Sequence, residues 1–333
     1  MSAVALWGVP LDELGDALGH MQLVYLAPVA VLYVLQQVVR AWRQTLIVRT
    51  LKPEASYMAN LGVLCMGFFC INVFPARLGE VVRPILLKRK LDIPLGAGFG
   101  AMFIERLFDL TATLVILQGV LLFVDMPTRE LQLFGQTWDV VALGQRVGSG
   151  LLAPILIGVL GLLLVGRPVL RLLEGVVERL PETLKRLAGL GLGFARSFVD
   201  GLDAVRRPLL FARLCLWTAV TWAGSAFIYL LLAESLNFGH LIGYGEAIGV
   251  MVLIMLGTMA PAPPGFVGVY EAAARGALAL FGVAGLGLDG SALAYALVLH
   301  WWTYLVQAAT AWWFFQKEGE SVMELARHAM GRD

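Results

Sequence analysis

Two short stretches of the chain carry proline, glycine, glutamate and arginine in the same order: Pro75, Gly79, Glu80 and Arg83, then Pro264, Gly268, Glu271 and Arg275. The first reads Asn72-Val73-Phe74-Pro75-Ala76-Arg77-Leu78-Gly79-Glu80 and continues to Arg83; it follows the apolar run Tyr57 to Phe74 with no polar spacer. The second, Pro263-Pro264-Gly265-Phe266-Val267-Gly268-Val269-Tyr270-Glu271, separates the apolar runs 247–260 and 272–283. Proline removes an amide donor and disfavours helix in the residue before it. A helix broken at membrane depth leaves backbone groups that must face protein or a wet cavity. Charges at that depth cost several kcal/mol each and mark functional pathways. The helix that restarts after each break offers unpaired amides and the positive end of its dipole. With Arg77, Arg83 and Arg275 added, the chemistry is capture of an anionic group such as a lipid phosphate. Glu80 and Glu271, three or four residues from an arginine, would hold the arginines or take up protons. The plainer alternative is a cytoplasmic loop that starts early, with Arg77 and Arg83 as inside-facing anchors.

These stretches sit in a chain of 333 residues that is 59% hydrophobic and 15% charged, with a mean hydropathy of +0.78. Soluble domains carry about 25% charge, so the composition is that of a polytopic membrane protein. A net charge of +1 gives no support to nucleic-acid binding. Cys65, Cys70 and Cys215 show no metal-ligand spacing and read as buried small residues. No nucleotide-binding motif, cofactor signature or metal site is visible. The acidic N-terminus lacks the basic region of a cleavable signal.

Charge asymmetry orders the elements. Leu23 to Val39 reads as a first span, with Arg40, Arg43, Arg49 and Lys52 on the cytoplasmic side. The run 57–87 has basic residues at both ends and reads as a re-entrant hairpin from the cytoplasm. Pro94 to Val124 is the next span and carries Glu105, Arg106 and Asp109; the two carboxylates lie four apart on one face. Residues 125–149 read as an outside loop, 150–165 as a linking span, and 167–208 as a cytoplasmic amphipathic segment broken at Pro181. A span at 209–232, a hairpin at 247–283 entering from outside, a span at 292–315 and a tail at 317–333 complete the chain. The fold class expected is therefore an all-α polytopic membrane protein forming one transmembrane domain. Its halves, about 23–124 and 209–316, are an inverted-topology repeat with two re-entrant helical hairpins. Interrupted segments at corresponding places in opposed halves point to a midplane transport site. The N-terminus is expected outside and the C-terminus in the cytoplasm of a cell (inner) membrane.

At the Asn72–Arg83 motif, at Glu105-Arg106-Leu107-Phe108-Asp109 and at Pro263–Glu271, over about residues 20–316, the chain resembles the membrane region of lysylphosphatidylglycerol synthases. That flippase-like family also occurs as stand-alone membrane proteins. The resemblance implies movement of a lipid, or of a lipid-linked sugar or headgroup, between leaflets. Two departures stand out: no soluble aminoacyl-transfer domain follows residue 316, and His300-Trp301-Trp302 stands where the family often carries an arginine.

The sequence thus favours a flippase over an enzyme. The cargo class is an anionic phospholipid or a polyprenyl-phosphate-linked lipid. Arg77, Glu80, Arg83, Glu105, Arg106, Asp109, Glu271 and Arg275 are the candidate binding residues; Asn72, Pro75, Gly79, Pro264, Gly265 and Gly268 shape the tips. An intramembrane enzyme using Glu80 or Glu271 as base is the alternative, but the chain has no HExxH or GxSxG motif. A non-transporting scaffold is a third reading. Glycine-rich spans permit a homo-oligomer.

Overall fold

A computed structural model describes residues 11–74, 79–127, 130–133, 136–179, 181–259, 263–283 and 288–329. It is an all-α membrane protein apart from one short β-hairpin. Among the described residues, three helices are long and apolar enough to cross a membrane, at Leu23–Leu51, Leu95–Phe123 and Pro208–Ser235. In chain order the helices are α1 (Leu11–Gly19), α2 (Leu26–Leu51), α3 (Tyr57–Val73), α4 (Gly79–Leu91), α5 (Leu95–Phe123), α6 (Val140–Glu178), α7 (Glu182–Gly201), α8 (Pro208–Ser235), α9 (Tyr244–Gly257), α10 (Val269–Leu280), α11 (Asp289–Glu318) and α12 (Val322–Ala329). Strands β1 (Glu130–Leu133) and β2 (Gln136–Asp139) pair antiparallel before α6.

Helix boundaries follow local chemistry. Ser56 caps α3 by accepting from the Ala59 amide. Phe74, the residue before Pro75, leaves the helix at φ −84°, ψ 138°, the extended geometry that a following proline imposes. Pro208 stands in the first turn of α8, where its missing N–H costs nothing.

Four short helices form two hairpins. In the first, a side chain at Gly67 would run into Arg83, and one at Gly79 would meet the backbone of Cys70 and Ile71. In the second, Gly257 faces Ala273 and Gly249 faces Phe281. As one index rises the other falls, so each pair is antiparallel. Gly67 and Arg83 are equidistant in sequence from Pro75, and both pairs of the second hairpin are equidistant from Gly265. At 17 and 13 residues, then 14 and 12, all four helices are shorter than the roughly 20 residues a full crossing needs.

Helix α11 threads between them, packing on α1, α2, α3 and α10. One apolar core gathers α8, α9, α10 and α11 around Trp222, Val250, Leu278 and Tyr295; another joins α3, α4 and the end of α11 around Met66, Leu86 and Phe314.

Four expectations need correction. The first span does not end at Val39: α2 continues to Leu51 and carries Arg43 inside the protein at 1% exposure. Residues 125–149 are not simply a loop, since they hold the β-hairpin and the capped start of α6, where the Ala142 amide donates to Asp139. The linking span and the first amphipathic piece form one 39-residue helix containing Pro154 and Pro168; the expected break falls between α6 and α7, at Pro181. Cys65 and Cys70 are buried, whereas Cys215 is exposed on α8.

Candidate functional site

Four arginines and three carboxylates converge where the first hairpin meets α2 and α5. Arg83 Nη2 donates to Glu105 Oε2 at 2.7 Å, with both side chains sealed from the exterior. Arg43 Nη1 donates to Asp109 Oδ1 at 2.7 Å and to Thr218 Oγ1 at 2.9 Å, and its Nη2 lies 3.9 Å from Glu105 Oε1. Arg106 Nη2 stands 3.6 Å from Glu80 Oε2. Thus Glu80 and Arg83 find ion-pair partners on α5. Helix spacing allowed them to meet each other, but Arg83 lies over Gly67, which points it toward α5.

Phe68 is the hub of this cluster. Its ring centroid lies 4.9 Å from the Arg83 guanidinium, 5.6 Å from that of Arg40 and 5.7 Å from that of Arg106. Each is within cation–π range. Among the described residues, the four arginines outnumber Glu80, Glu105 and Asp109 by one, so these seven side chains carry one surplus positive charge. Several donors remain without acceptors among the described residues: Arg83 Nε and Nη1, Arg43 Nε and Nη2, and Arg106 Nε.

Beside the cluster lies a cavity of about 260 Å³. Its polar walls come from Gln36, Gln37 and Arg40 of α2, Asn72 of α3, and His300 and Gln307 of α11; Phe68 and Trp222 also line it. Gln307 Oε1 accepts from Tyr33 Oη at 2.7 Å and from Asn72 Nδ2 at 3.1 Å, tying three helices together. Its Nε2, and that of Gln37, are buried without partners among the described residues. Buried donors left in that condition cost about 1–3 kcal/mol each, which an acceptor entering the cavity would relieve.

The second hairpin closes the other side. Its tip is the 3₁₀ turn Pro264–Phe266, with positive φ at Gly265 (70°) and Phe266 (57°), followed by positive φ at Gly268 (84°), the residue that precedes α10. Glycine accepts such angles freely; Phe266 does so at a cost, and it lines the cavity. Gly265 packs near the Asn72 carbonyl, so the two tips approach each other. Glu271 caps α10 by accepting from the Gly268 amide at 2.7 Å, while its other oxygen bonds His300 Nδ1 at 2.7 Å. His300 in turn stacks on Tyr270, with centroids 4.3 Å apart.

The candidate residues are therefore placed as follows. Asn72 lines the cavity. Glu80, Arg83, Glu105, Arg106 and Asp109 form the adjacent cluster, and Gly79 seats the first hairpin's turn against α3. Glu271 lies behind His300 and Tyr270 rather than in the cavity wall, and Arg275 is half-buried on α10 outside that wall. Arg77 and Pro75 lie outside the described residues. Arg40, Arg43, Gln36 and Gln37 were not among the expected site residues. Their signal was the polar stripe 36/37, 40 and 43/44, at helical spacing, on an otherwise apolar span. Among the described residues, no group of three or more His, Cys, Asp or Glu could hold a metal ion.

The chain belongs to the family described as the lysylphosphatidylglycerol synthase TM region, which it matches over residues 1–311. It is 29% identical over 293 residues to the glycosyltransferase AglD of Haloferax volcanii, covering 81% of this chain and 46% of that protein. It is 37% identical over 75 residues to the UPF0104 membrane protein MJ1078 of Methanocaldococcus jannaschii, covering 22% of this chain and 32% of that protein. The matches thus span less than half the length of these curated relatives. No solved structure matches it.

Proposed function

We propose that this member of the lysylphosphatidylglycerol synthase TM region family is a flippase, moving an anionic lipid between membrane leaflets without altering it. The observation that carries the reading is Arg40: it faces a polar cavity between two hairpin tips and belongs to a cluster with one surplus positive charge. A lipid phosphate supplies the missing negative charge and accepts from Gln37 and Gln307. Two antiparallel hairpins, each too short to cross, support the picture of re-entrant hairpins in an inverted repeat that meet near mid-membrane. In that arrangement the N-terminus lies outside and the C-terminus in the cytoplasm of the cell membrane. Arg83 and Arg106 set the local potential, with Glu105, Asp109 and Glu80 holding them in place; Arg275 and, by its sequence position alone, Arg77 are the further candidates for anion binding. Glu271 fixes the second tip.

Leaflet exchange in proteoliposomes tests this. Labelled anionic phospholipids, a labelled polyprenyl-phosphate and a zwitterionic control would be compared in wild type and Arg40→Ala. Exchange of an anionic class, reduced about tenfold or more by loss of a charge-assisted contact, is expected. No exchange of any probe, or equal exchange in both proteins, would overturn the assignment; a chemically changed headgroup would replace it with the enzyme reading.

A further inference from the structure

A second cavity, of about 510 Å³, lies between α5 and α8. Phe108, Ala112 and Val115 form one wall and Phe211, Cys215 and Ala219 the other. The first set is spaced by four and three residues and the second by four and four, so each is one helix face. The lining is apolar except for Thr111 and Thr218, and the Thr218 hydroxyl is already engaged by Arg43. From Phe211 to Ala223 the groove runs about 18 Å along α8, about three-fifths of a roughly 30 Å hydrocarbon core.

Trp222 borders both this groove and the central cavity. It is 3% exposed, and its indole Nε1–H has no acceptor among the described residues. Buried tryptophan N–H groups ordinarily have one. Trp222 therefore stands in the shared wall, with its donor unsatisfied, between the groove and a cavity that carries surplus positive charge.

We propose that the groove binds a hydrocarbon chain of the transported lipid, and that Trp222 donates to an oxygen at the junction between chain and head. This rests on the flippase reading. The head occupies the central cavity beside Arg40, and the chain lies between α5 and α8, directed toward the Leu202–Arg206 turn. A chain there stays among apolar groups while its head is at mid-depth, so the head alone needs a polar environment. The ligand class is an anionic lipid with a polar oxygen beside its chain.

Crosslinking of the full chain in phosphatidylcholine vesicles tests the site. The probes are phosphatidylglycerol, a polyprenyl-phosphate and phosphatidylcholine, each with a photoactivatable group in its chain. The proteins are wild type, Arg40→Ala, Trp222→Phe and Ala219→Trp. Ala219 is exposed, so the tryptophan fills the groove without entering the core. We expect one anionic probe to label 107–116 and 211–223 roughly tenfold more than phosphatidylcholine does, the scale of one charge-assisted contact. That selectivity should vanish in Arg40→Ala and Ala219→Trp and fall in Trp222→Phe. Equal labelling by all probes, or selective labelling that survives Ala219→Trp, overturns the groove. Leaflet exchange, measured separately, decides the flippase reading: its absence beside head-selective labelling would remove transport and leave the lipid site standing.

Discussion

Arg83 Nη2 and Glu105 Oε2 stand 2.7 Å apart with neither side chain open to the exterior, joining the first hairpin to α5. A buried ion pair is weak evidence for stability in itself, but breaking one side of it strands a charge, at about 3–5 kcal/mol. Glu105→Ala should therefore lower the thermal stability of the detergent-solubilised protein sharply. The double change Arg83→Met with Glu105→Leu should recover most of the loss, since apolar groups of similar volume replace the pair. Leaflet exchange should not recover with it, because the charge pattern beside the cavity is gone. A double variant as unstable as Glu105→Ala would refute this account of the pair.

Glycine spacing makes a finer distinction. A Cβ at Gly79 would meet the backbone of Cys70 and Ile71, whereas one at Gly67 would meet the flexible stem of Arg83. Backbone cannot yield as a side chain can, so Gly79→Ala should cost more than the 1–3 kcal/mol typical of overpacking, and Gly67→Ala less. Gly119 on α5 has nothing within 4 Å of its would-be Cβ, so Gly119→Ala should leave the melting temperature unchanged or raise it slightly. Thermal melting of the three variants would check the order.

Much of this arrangement could be read from residue order. Phe74 leaves its helix because proline follows, Pro181 separates α6 from α7, and the 264–268 turn breaks where glycines permit positive φ. Glu105 and Asp109 share a face and meet arginines, as four-residue spacing suggests. What was not legible depends on distant partners. Arg43 looks like an interfacial anchor until Asp109, 66 residues away, supplies its counter-charge. His300 reads as a hydrogen-bonded core histidine, but that its partner is Glu271, 29 residues back, appears only in the fold. Hairpin spacing put Glu80 with Arg83, while carboxylates inside the bilayer at 105 and 109 had Arg106 and the hairpin arginines as available partners; the packing of α4 on α5 gives Arg83 to Glu105 and Arg106 to Glu80.

Glu271 satisfies two groups at once, the Gly268 amide and His300 Nδ1. Glu271→Ala removes a helix cap, a loss of about 0.5–2 kcal/mol, and also strands a buried imidazole. His300→Ala removes the second contact and the stack on Tyr270 but leaves the cap in place. The expected order of destabilisation is Glu271→Ala greater than His300→Ala, with protease cleavage near 260–268 rising in the same order. Equal cleavage in both variants and wild type would mean that this contact does not hold the second tip.

Beyond the apolar part of the first hairpin, Lys90 Nζ lies 2.8 Å from Glu320 and 3.4 Å from Glu318, while Arg89 lies 3.0 Å from Glu324. These contacts hold the start of α12 and the end of α11 to α4. Partial burial pushes the Lys90 ammonium's pKa down, but its hydrogen bond to Glu320 and the charges of Glu320 and Glu318 outweigh that and hold it above the ordinary lysine range. A raised folded-state pKa contributes stability that is fully present below the unfolded value, about 10.4, and is lost as pH rises through the folded value. The clamp should therefore hold at neutral pH and release only in alkali above that range. Half-buried pairs at the edge of the protein contribute on the order of 1 kcal/mol, so the effect is local. Limited proteolysis of residues 318–329 should be slow at neutral pH and faster in alkali, with Lys90→Met cleaved quickly at both. Cleavage that is pH-independent in wild type, or unchanged by Lys90→Met, would show that α12 is held by its apolar contacts, such as Leu325 with the first hairpin's core, and not by the lysine.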